Sequence, residues 1–391
     1  MRMRRRSVGL VCVALFASLS LVACSKDKSS DTTVAPVAET TAATTETTAA
    51  ADTTAAAETT AAADTSATAT ETTAAASGTS AAPSTAGGDQ AWNMVTDQAG
   101  LGDKGFNDLA FAGLQKAATE IGGKAKAIES SEQAQYVPNL QQSVDSGATM
   151  TVGVGFLITD AMVEVASKNA DAKFVLIDAV AADKAGTPLP NVASVTFKEN
   201  EGAYLAGIIA GKTTKTNKVG FVGGLEIPPV VRFLKGFEAG MKSVNPAATM
   251  QVAYVGNFAD AAKAKELSKG YYDGGADIVF EVAGLGGLGA YEEAKTRGPG
   301  FWVVGTDTCK DQLAPDNYLT SATKDVSGAV FKEAKAIGDG TFKGGAVTLG
   351  LAEDGVGVCQ ATFAKLPQDI QDAVTKATAD VKAGTVVVPD K

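Results

Sequence analysis

From Ala91 onward, short apolar runs rich in β-branched residues alternate with segments whose apolar residues repeat at helical spacing. The pattern predicts strands at 92–96, 150–158, 173–178, 192–197, 218–222, 250–255, 277–282, 301–305 and 318–322. It predicts helices at 107–121, 230–244, 261–273, 290–296 and 326–337. Strands that alternate with helices are buried on both faces and pair in parallel, so we expect a doubly wound α/β fold.

About ten strands are too many for one compact sheet of this kind, so two Rossmann-like lobes are predicted within a domain at 89–391. The first lobe is placed at about 91–197 and 324–346, and the second at about 198–323 and 347–391. The chain would then cross between the lobes three times, and the crossing segments would form a hinge. Because ligands bind at the carboxyl ends of parallel strands, we expect a site in the crevice between the lobes.

The first 23 residues are typical of an export signal. Four arginines within residues 1–6 precede a nearly continuous apolar run at 8–22, which is shorter than the roughly 20 residues that a membrane-spanning helix needs. Leu-Val-Ala then leads directly into Cys24, which resembles the lipobox of bacterial lipoproteins. The resemblance implies lipidation of Cys24; a cysteine that merely lies near an ordinary cleavage site is the alternative.

Residues 24–88 are a tract of Thr, Ala and Ser with scattered acids. From Ser25 onward the tract contains no leucine, isoleucine or aromatic residue, so it cannot bury a core. As a flexible coil it would span roughly 40 to 50 Å. The sequence therefore predicts a disordered tether between a lipid anchor and the folded domain.

Charge and composition exclude several classes of function. The formal net charge is −10, so nucleic acid and anionic lipid surfaces are poor partners. The chain has no histidine, which excludes histidine general bases and histidine metal sites. Apart from Cys12 and Cys24, the cysteines are Cys309 and Cys359, which are expected to pair outside the cell. Two free thiols are the alternative, and two cysteines alone are too few for a zinc site.

The loop after the first predicted strand is polar and rich in glycine, and it leads into a helix. Glycines in this position can bind phosphate, but Asp97, Asp103 and Asp108 would repel an anion. A neutral ligand with several hydroxyl groups is therefore favoured.

A set of short segments follows in order along the chain from Trp92 to past Gly350. They are DQAGLGDKGFN at 97–107, GVGF at 153–156 with Asp160 after it, KVGFVGG at 218–224, FLKGFEAG at 233–240, GNFAD at 256–260, AG at 283–284, GTD at 305–307 and TSATK at 320–324. In this order and spacing they resemble the basic membrane protein family, the purine-nucleoside receptor type of ABC solute-binding lipoproteins. The resemblance implies a type I periplasmic binding protein fold.

The resemblance also implies a ligand-binding set that would stack a purine base between two aromatic rings and hydrogen-bond its polar edges and ribose. The positions are Phe106 and Phe258 on the faces of the base, Asp97, Asn107 and Asp160 at its edge, and Gly284, Asp307 and Lys324 at the ribose. Stacking on an aromatic ring is worth roughly 1 to 3 kcal/mol per base. The alternatives to ligand binding are purely structural roles: Phe106 and Phe258 as ordinary core residues, Asp307 as a helix cap and Lys324 as a solvated strand residue.

The sequence departs from the family around Asp307. Many members read Gly-x-Asp-x-Asp-Gln, whereas this chain reads GTDTCKDQ at 305–312, a longer loop that contains Cys309. A bridge from Cys309 to Cys359 would tie this loop to the last strand region.

One motif competes with the solute-binding interpretation. GLGGLG at 284–289 follows a predicted strand and matches the GxGxxG of dinucleotide-binding folds, with Asp307 about 20 residues further on. An NAD-binding oxidoreductase is therefore one alternative, although an exported chain would meet no maintained pool of reduced cofactor. A surface or envelope lipoprotein without a transport role is the other.

The sequence thus predicts an extracytoplasmic, lipid-anchored solute-binding protein of an ABC importer, which is not an enzyme. Its ligand would be small and polar, with a purine nucleoside favoured over a sugar or another metabolite. A separate permease and ATPase would complete the importer, because the chain has no GxxxxGK[ST] loop. We expect a monomer with no metal, no cofactor and no nucleic-acid partner.

Overall fold

The computed structural model describes residues 90–391. The predicted signal peptide at 1–23, the lipidation site Cys24 and the tether at 24–88 lie outside the described residues and stay predictions. Among the helices of residues 90–391, none is both long enough and apolar enough to cross a bilayer.

Residues 90–391 form two six-stranded sheets. The strands are β1 (Ala91–Val95), β2 (Lys124–Ile128), β3 (Met150–Val154), β4 (Phe174–Ile177), β5 (Val192–Phe197), β6 (Lys218–Gly223), β7 (Thr249–Tyr254), β8 (Ile278–Val282), β9 (Trp302–Asp307), β10 (Tyr318–Lys324), β11 (Gly345–Leu349) and β12 (Val356–Val358). Lobe 1 contains the sheet ordered β11-β5-β4-β3-β1-β2, and lobe 2 the sheet ordered β12-β10-β9-β8-β6-β7. All neighbours are parallel except β12, which runs antiparallel to β10.

Helices connect the strands. They are α1 (Phe106–Glu120), α2 (Tyr136–Asp145), α3 (Thr159–Lys168), α4 (Glu199–Thr213), α5 (Pro228–Val244), α6 (Ala261–Asp273), α7 (Leu288–Arg297), α8 (Val326–Gly338), α9 (Gln360–Phe363) and α10 (Gln368–Lys382). The central strands β3, β4 and β8 are buried along their whole length, as expected for strands covered on both faces. In lobe 2, α4 and α5 pack so closely that a β-carbon on Gly240 would overlap the carbonyl oxygen of Tyr204.

The predicted strands agree with the structure to within two residues at each end, with one exception. The strand predicted to reach residue 158 ends at Val154, because Gly155 takes a φ of +103° and residues 156–158 form a 3₁₀ turn. The three strands that the sequence pattern missed, β2, β11 and β12, all lie at sheet edges. Strand β2 reads KAKAI and β12 has only three residues, so both lack the apolar runs on which the prediction depended.

The chain passes from one sheet to the other three times, between β5 and α4, between β10 and α8, and between β11 and β12. Backbone hydrogen bonds join these segments: Lys198 N donates to Leu349 O, and Asp325 N donates to Gly355 O, each at 2.9 Å. Strand β11 returns to the sheet of lobe 1 as far as Leu349, three residues beyond the expected boundary. The three crossings lie side by side, which is the arrangement of a hinge.

Candidate functional site between the lobes

A cavity lies between the two lobes and encloses about 590 Å³, counted with its opening to solvent. Lobe 1 lines it with the loop after β1, the turn after β3 and the residue after β4. Lobe 2 lines it with the start of α5, the loops after β7 and β8, and the carboxyl ends of β9 and β10. The site therefore lies where parallel strands end, as a doubly wound sheet favours.

The structure brings seven of the eight predicted ligand-binding residues to this cavity: Asp97, Phe106, Asn107, Phe258, Gly284, Asp307 and Lys324. It does not bring Asp160 there. Asp160 lies in the first turn of α3 with an exposed side chain, because the tight turn at Gly155 instead presents Phe156 and Leu157 to the cavity.

The loop between β1 and α1 is held by its own side chains. Asn107 Nδ2 donates to Asp97 Oδ1 at 2.8 Å and to Asp103 Oδ2 at 3.2 Å. Asp103 also accepts from the backbone amides of Gly105, Asn107 and Asp108, at 2.9, 2.8 and 3.2 Å. These bonds satisfy the free amides at the start of α1. Asn107 therefore braces two carboxylates, and its oxygen, which accepts one 3.3 Å bond from Asp97 N, keeps a second lone pair.

Asp97 is a buried hydrogen-bond acceptor whose pKa is raised above the ordinary value of an aspartate. Burial raises its pKa to about 6, helped by the nearby charges of Asp103 and Asp307 and opposed by bonds from Asn107 and the Ala99 amide. Its Oδ2 accepts no hydrogen bond from residues 90–391. At neutral pH this carboxylate is mostly ionised and can accept a hydrogen bond from a ligand in the cavity.

One phenylalanine from each lobe lines the cavity. Phe106 begins α1 in lobe 1, and its ring lies 3.6 Å from the β-carbon position of Gly155. Phe258 follows β7 in lobe 2, and its ring covers Gly224 so closely that any β-carbon there would overlap it. Both rings are half-buried. The arrangement offers aromatic surface from two sides to whatever enters the cavity.

The remaining apolar lining includes residues to which the sequence analysis gave no ligand-binding role, namely Phe156, Leu157, Ile227, Pro229, Val230 and Phe233. Phe156 and Phe233 lie in the family segments at 153–156 and 233–240, and the other four had no signal except their position, after β3 or near the first turn of α5. Apolar residues at such places look the same in sequence as ordinary core residues.

A buried ion-pair network joins the lobes beside the cavity. Lys324 Nζ lies 2.7 Å from both carboxylate oxygens of Asp178 in lobe 1 and 3.3 Å from Glu199 Oε1 in lobe 2. Arg232 pairs with the other oxygen of Glu199. Burial raises the pKa of Asp178 to about 6, with Lys324 opposing and Glu199 adding to the shift. The hydrogens of the Lys324 ammonium thus already face protein acceptors, and the nearest aromatic ring is that of Phe106, whose centroid lies 4.7 Å from Nζ.

Asp178 was missed by the sequence analysis, although it directly follows strand β4. It has a φ of +74°, and Asp307, which ends β9, has a φ of +68°. Aspartates in this left-handed region are uncommon and often occur at functional sites. Asp178 could have been identified as a candidate site residue because it is an acid that directly follows a buried strand.

The predicted disulfide is confirmed: Cys309 and Cys359 are bonded, with a Cα–Cα distance of 5.1 Å. It links the loop after β9 to the residue that follows β12. Next to it, the Lys310 side chain points inward and is 1% exposed.

The GxGxxG motif has a packing explanation. Gly284 takes a φ of +58° and lines the cavity. A β-carbon on Gly289 would overlap the carbonyl oxygen of Ala261, and one on Gly286 would lie 3.3 Å from Asp260 N, so these glycines let α7 approach the start of α6. The cavity also contains four carboxylates, which disfavour a pyrophosphate.

A family model described as "ABC transporter substrate-binding protein PnrA-like" matches residues 92–390. The chain belongs to this family. Its members include the relatives named basic membrane proteins, so the family resemblance predicted from the sequence is confirmed. Similar curated proteins are an "ABC transporter nucleoside-binding protein BmpA" of Lactococcus lactis, 36% identical over 76% of this chain and 88% of that protein, and "Basic membrane protein A1" of Borrelia garinii, 34% identical over 73% and 85%.

Solved structures support the same fold. A solute-binding protein of an ABC transporter system from Aeropyrum pernix superposes with a TM-score of 0.68 and 28% identity, covering 77% of this chain and 94% of that one. Another, from Conexibacter woesei, superposes with a TM-score of 0.60 and 24% identity, covering 77% and 99%. The fold is thus that of a type I periplasmic binding protein, as predicted from the sequence.

Proposed function

We propose that the protein is an extracytoplasmic, lipid-anchored receptor that binds a purine nucleoside between its two lobes and delivers it to the permease and ATPase of an ABC importer. It would act by binding and closure and not by catalysis. The single observation that carries the nucleoside assignment is that Phe106 and Phe258, one from each lobe, line the same cavity.

A flat heterocycle is the ligand favoured by a cavity with an aromatic side chain from each lobe, because each base has two π-faces and stacking tolerates different bases. Such a ligand would contact both lobes at once and so would stabilise the closed state over the open one. The relative from Lactococcus lactis is named a nucleoside-binding protein, which supports this choice over a free sugar.

The polar lining suits the remainder of a nucleoside. Asp97 keeps an unpaired carboxylate oxygen for an N–H donor of the base, and Asp307 can accept from two neighbouring hydroxyls of a ribose. Both groups accept and neither donates when ionised. The excess of carboxylates over lysines along the cavity favours a neutral ligand over a phosphorylated one.

The competing oxidoreductase function has less support. Two of its three motif glycines, Gly286 and Gly289, lie against other protein atoms, and the cavity beside Gly284 is acidic where a dinucleotide would bring phosphates. An envelope lipoprotein without a transport role would not require an inter-lobe cavity with aromatic residues from both sides.

A thermal-shift panel on the purified chain tests the proposal. Guanosine, inosine and adenosine should each raise the melting temperature, because a ligand that binds only the folded protein stabilises it. Pyrimidine nucleosides should do so less, and ribose or NAD not at all. Stabilisation by NAD alone would favour the oxidoreductase. Stabilisation by ribose alone would remove the stacking argument.

A further inference from the structure

Arg232 belongs neither to the cavity lining nor to the ligand-binding set that the family resemblance implies, yet ion pairs connect it to the cavity. We propose that Arg232 is a positioning residue for ligand binding, which holds Glu199 so that Lys324 stays paired with Asp178 across the two lobes. This inference rests on the proposed function. Arg232 acts through two other side chains and does not touch the ligand.

The four side chains of this network alternate in charge. Arg232 Nε donates to Glu199 Oε2 at 2.5 Å, and Lys324 Nζ donates to Glu199 Oε1 at 3.3 Å and to both oxygens of Asp178 at 2.7 Å. The side chains of Glu199, Lys324 and Asp178 are at most 7% exposed. Within residues 90–391 none of the four makes another ion pair. Two cations therefore neutralise two buried carboxylates, and Glu199 is shared between the cations.

The sharing of Glu199 determines where Lys324 lies. Lys324 is closer to Asp178 than to Glu199, which has Arg232 on its other oxygen. Without Arg232, the buried carboxylate of Glu199 would keep Lys324 as its one cation, and an unpaired charge in a buried site is costly. Lys324 would then be drawn toward Glu199 and away from Asp178. Because Asp178 is the partner in lobe 1, the closed state would be weakened.

Lys324 also lies against the aromatic ring that lobe 1 offers to a base. Its Nζ lies 4.7 Å from the centroid of the Phe106 ring and 5.0 Å from that of Phe197. A cation at such a distance is attracted to the face of the ring. A displaced Lys324 would lose this contact with Phe106. Both effects lower ligand affinity, and neither requires Arg232 to reach the ligand.

Arg232 lies on the hinge side of the network. Helix α5 presents Val230 and Phe233 to the ligand cavity, whereas Arg232 lines a second cavity that shares no residue with the first. This hinge cavity encloses about 1140 Å³, counted with its opening to solvent, and its lining from lobe 1 and the first crossing is Thr196, Phe197, Lys198 and Thr348. Arg232 can therefore be replaced without altering the lining of the ligand cavity.

The test measures guanosine affinity by calorimetry in Arg232→Met and in Arg297→Met. Arg297 is the matched control, because its side chain is 19% exposed against 21% for Arg232, and its partners Asp273 and Glu293 do not line the ligand cavity. Arg232→Met should lower the affinity by about tenfold, a usual size for coupling between sites. Arg297→Met should leave it within about twofold, because distant sites act independently. Arg232→Lys keeps the charge beside Glu199 and should recover most of the affinity.

Two further measurements separate positioning from a purely structural role. In a Glu199→Gln background, Arg232→Met should lower the affinity by less than about twofold, because the charge through which Arg232 acts is gone. The loss in Arg232→Met should appear mainly as faster dissociation of guanosine in stopped-flow experiments, since a weaker closed state opens more often.

Three results would overturn the role of Arg232: an unchanged affinity in Arg232→Met, an equal loss in Arg297→Met, or an undiminished loss in the Glu199→Gln background. If Arg232→Met does not fold, Arg232→Gln is judged by the same comparisons. A wild type that binds no nucleoside would refute the proposed function, and the role of Arg232 is then judged on the ligand-free protein. Small-angle X-ray scattering should give a larger radius of gyration for Arg232→Met than for the wild type and Arg297→Met, and equal radii would overturn the role.

Discussion

The two walls of the cavity are built in different ways. The wall from lobe 1 presents the carboxylates of Asp97, Asp103 and Asp178, and in its loop Asp97 and Asp103 accept hydrogen bonds from residues at most ten positions away. The wall from lobe 2 includes Lys324, which pairs with the cavity carboxylate of Asp178, and behind this wall Lys310 pairs with Glu281. Their partners are distant in sequence, 29 residues for Lys310 and 146 for Lys324.

The two walls meet electrostatically at Lys324. Its pair with Asp178 joins the acidic wall of lobe 1 to lobe 2 and spans the gap beside the hinge. Buried pairs of this kind cost desolvation energy and contribute mainly by fixing one geometry. We infer that the Lys324–Asp178 pair fixes the relative position of the two lobes in the closed state. The aromatic residues and the ligand then determine how stable that closed state is.

The largest effect is expected from Lys324→Met, which leaves Asp178 and Glu199 buried without their shared cation. Breaking a buried pair by removing one partner costs roughly 3 to 5 kcal/mol, so the free energy of unfolding measured in urea should fall by about that amount. Lys335→Met, whose exposed pair with Asp339 is worth little, should change it by less than about 0.5 kcal/mol. Equal stability of the two variants would mean that the two walls do not depend on the Lys324 network.

An intermediate effect is expected from Asp97→Asn, and it should depend on pH. Because folding raises the pKa of Asp97 to about 6, the folded state binds a proton more tightly, and stability falls as pH rises from about 4 to above 6. The variant lacks this loss, so its stability relative to the wild type should increase over that range by on the order of 2 kcal/mol. Urea unfolding at pH 4, 5, 6 and 7 measures the difference in free energy of unfolding between the variant and the wild type. A difference that does not change with pH would contradict a raised pKa for Asp97.

The smallest effect is expected from Gly289→Ala, which tests whether the GxGxxG glycines of lobe 2 serve packing. A β-carbon there must displace the backbone of α6, and overpacking of this kind costs roughly 1 to 3 kcal/mol. Gly270→Ala is a matched control in the neighbouring helix α6, where nothing lies within 4 Å of the new carbon. It should be neutral or stabilising, because alanine is the better helix former. Similar melting temperatures for both variants would contradict the packing explanation.

The same comparison explains what could be predicted from the sequence. The parallel strands at the sheet centres could be predicted because a strand buried on both faces has a continuous apolar sequence. Edge strands such as β2 lack such a sequence and were missed. Asp97, Phe106 and Asn107 were predictable because the loop that positions them is one continuous motif. Phe258 and Asp307 came from the same kind of short motif in lobe 2.

The ion pairs could not be predicted in the same way. Asp178, Glu199 and Lys310 acquire their ion-pair partners only when strands and helices far apart in sequence are brought together. Of the three, only Asp178 carried a local signal, its place directly after a buried strand. Asp160 shows the reverse error. Its place in a family motif suggested the cavity, but the turn at Gly155 leaves it exposed on α3.

The most direct test of the central claim is calorimetric titration of guanosine into the wild type, Phe106→Ala and Phe258→Ala. The control is Phe342→Ala, a half-buried phenylalanine in the loop after α8 that does not line the cavity. Loss of one stacking face should weaken binding by roughly ten- to a hundredfold in each cavity variant, for about 1 to 3 kcal/mol, and leave the control unchanged. Wild-type affinity in both cavity variants would contradict a ligand held between the two rings.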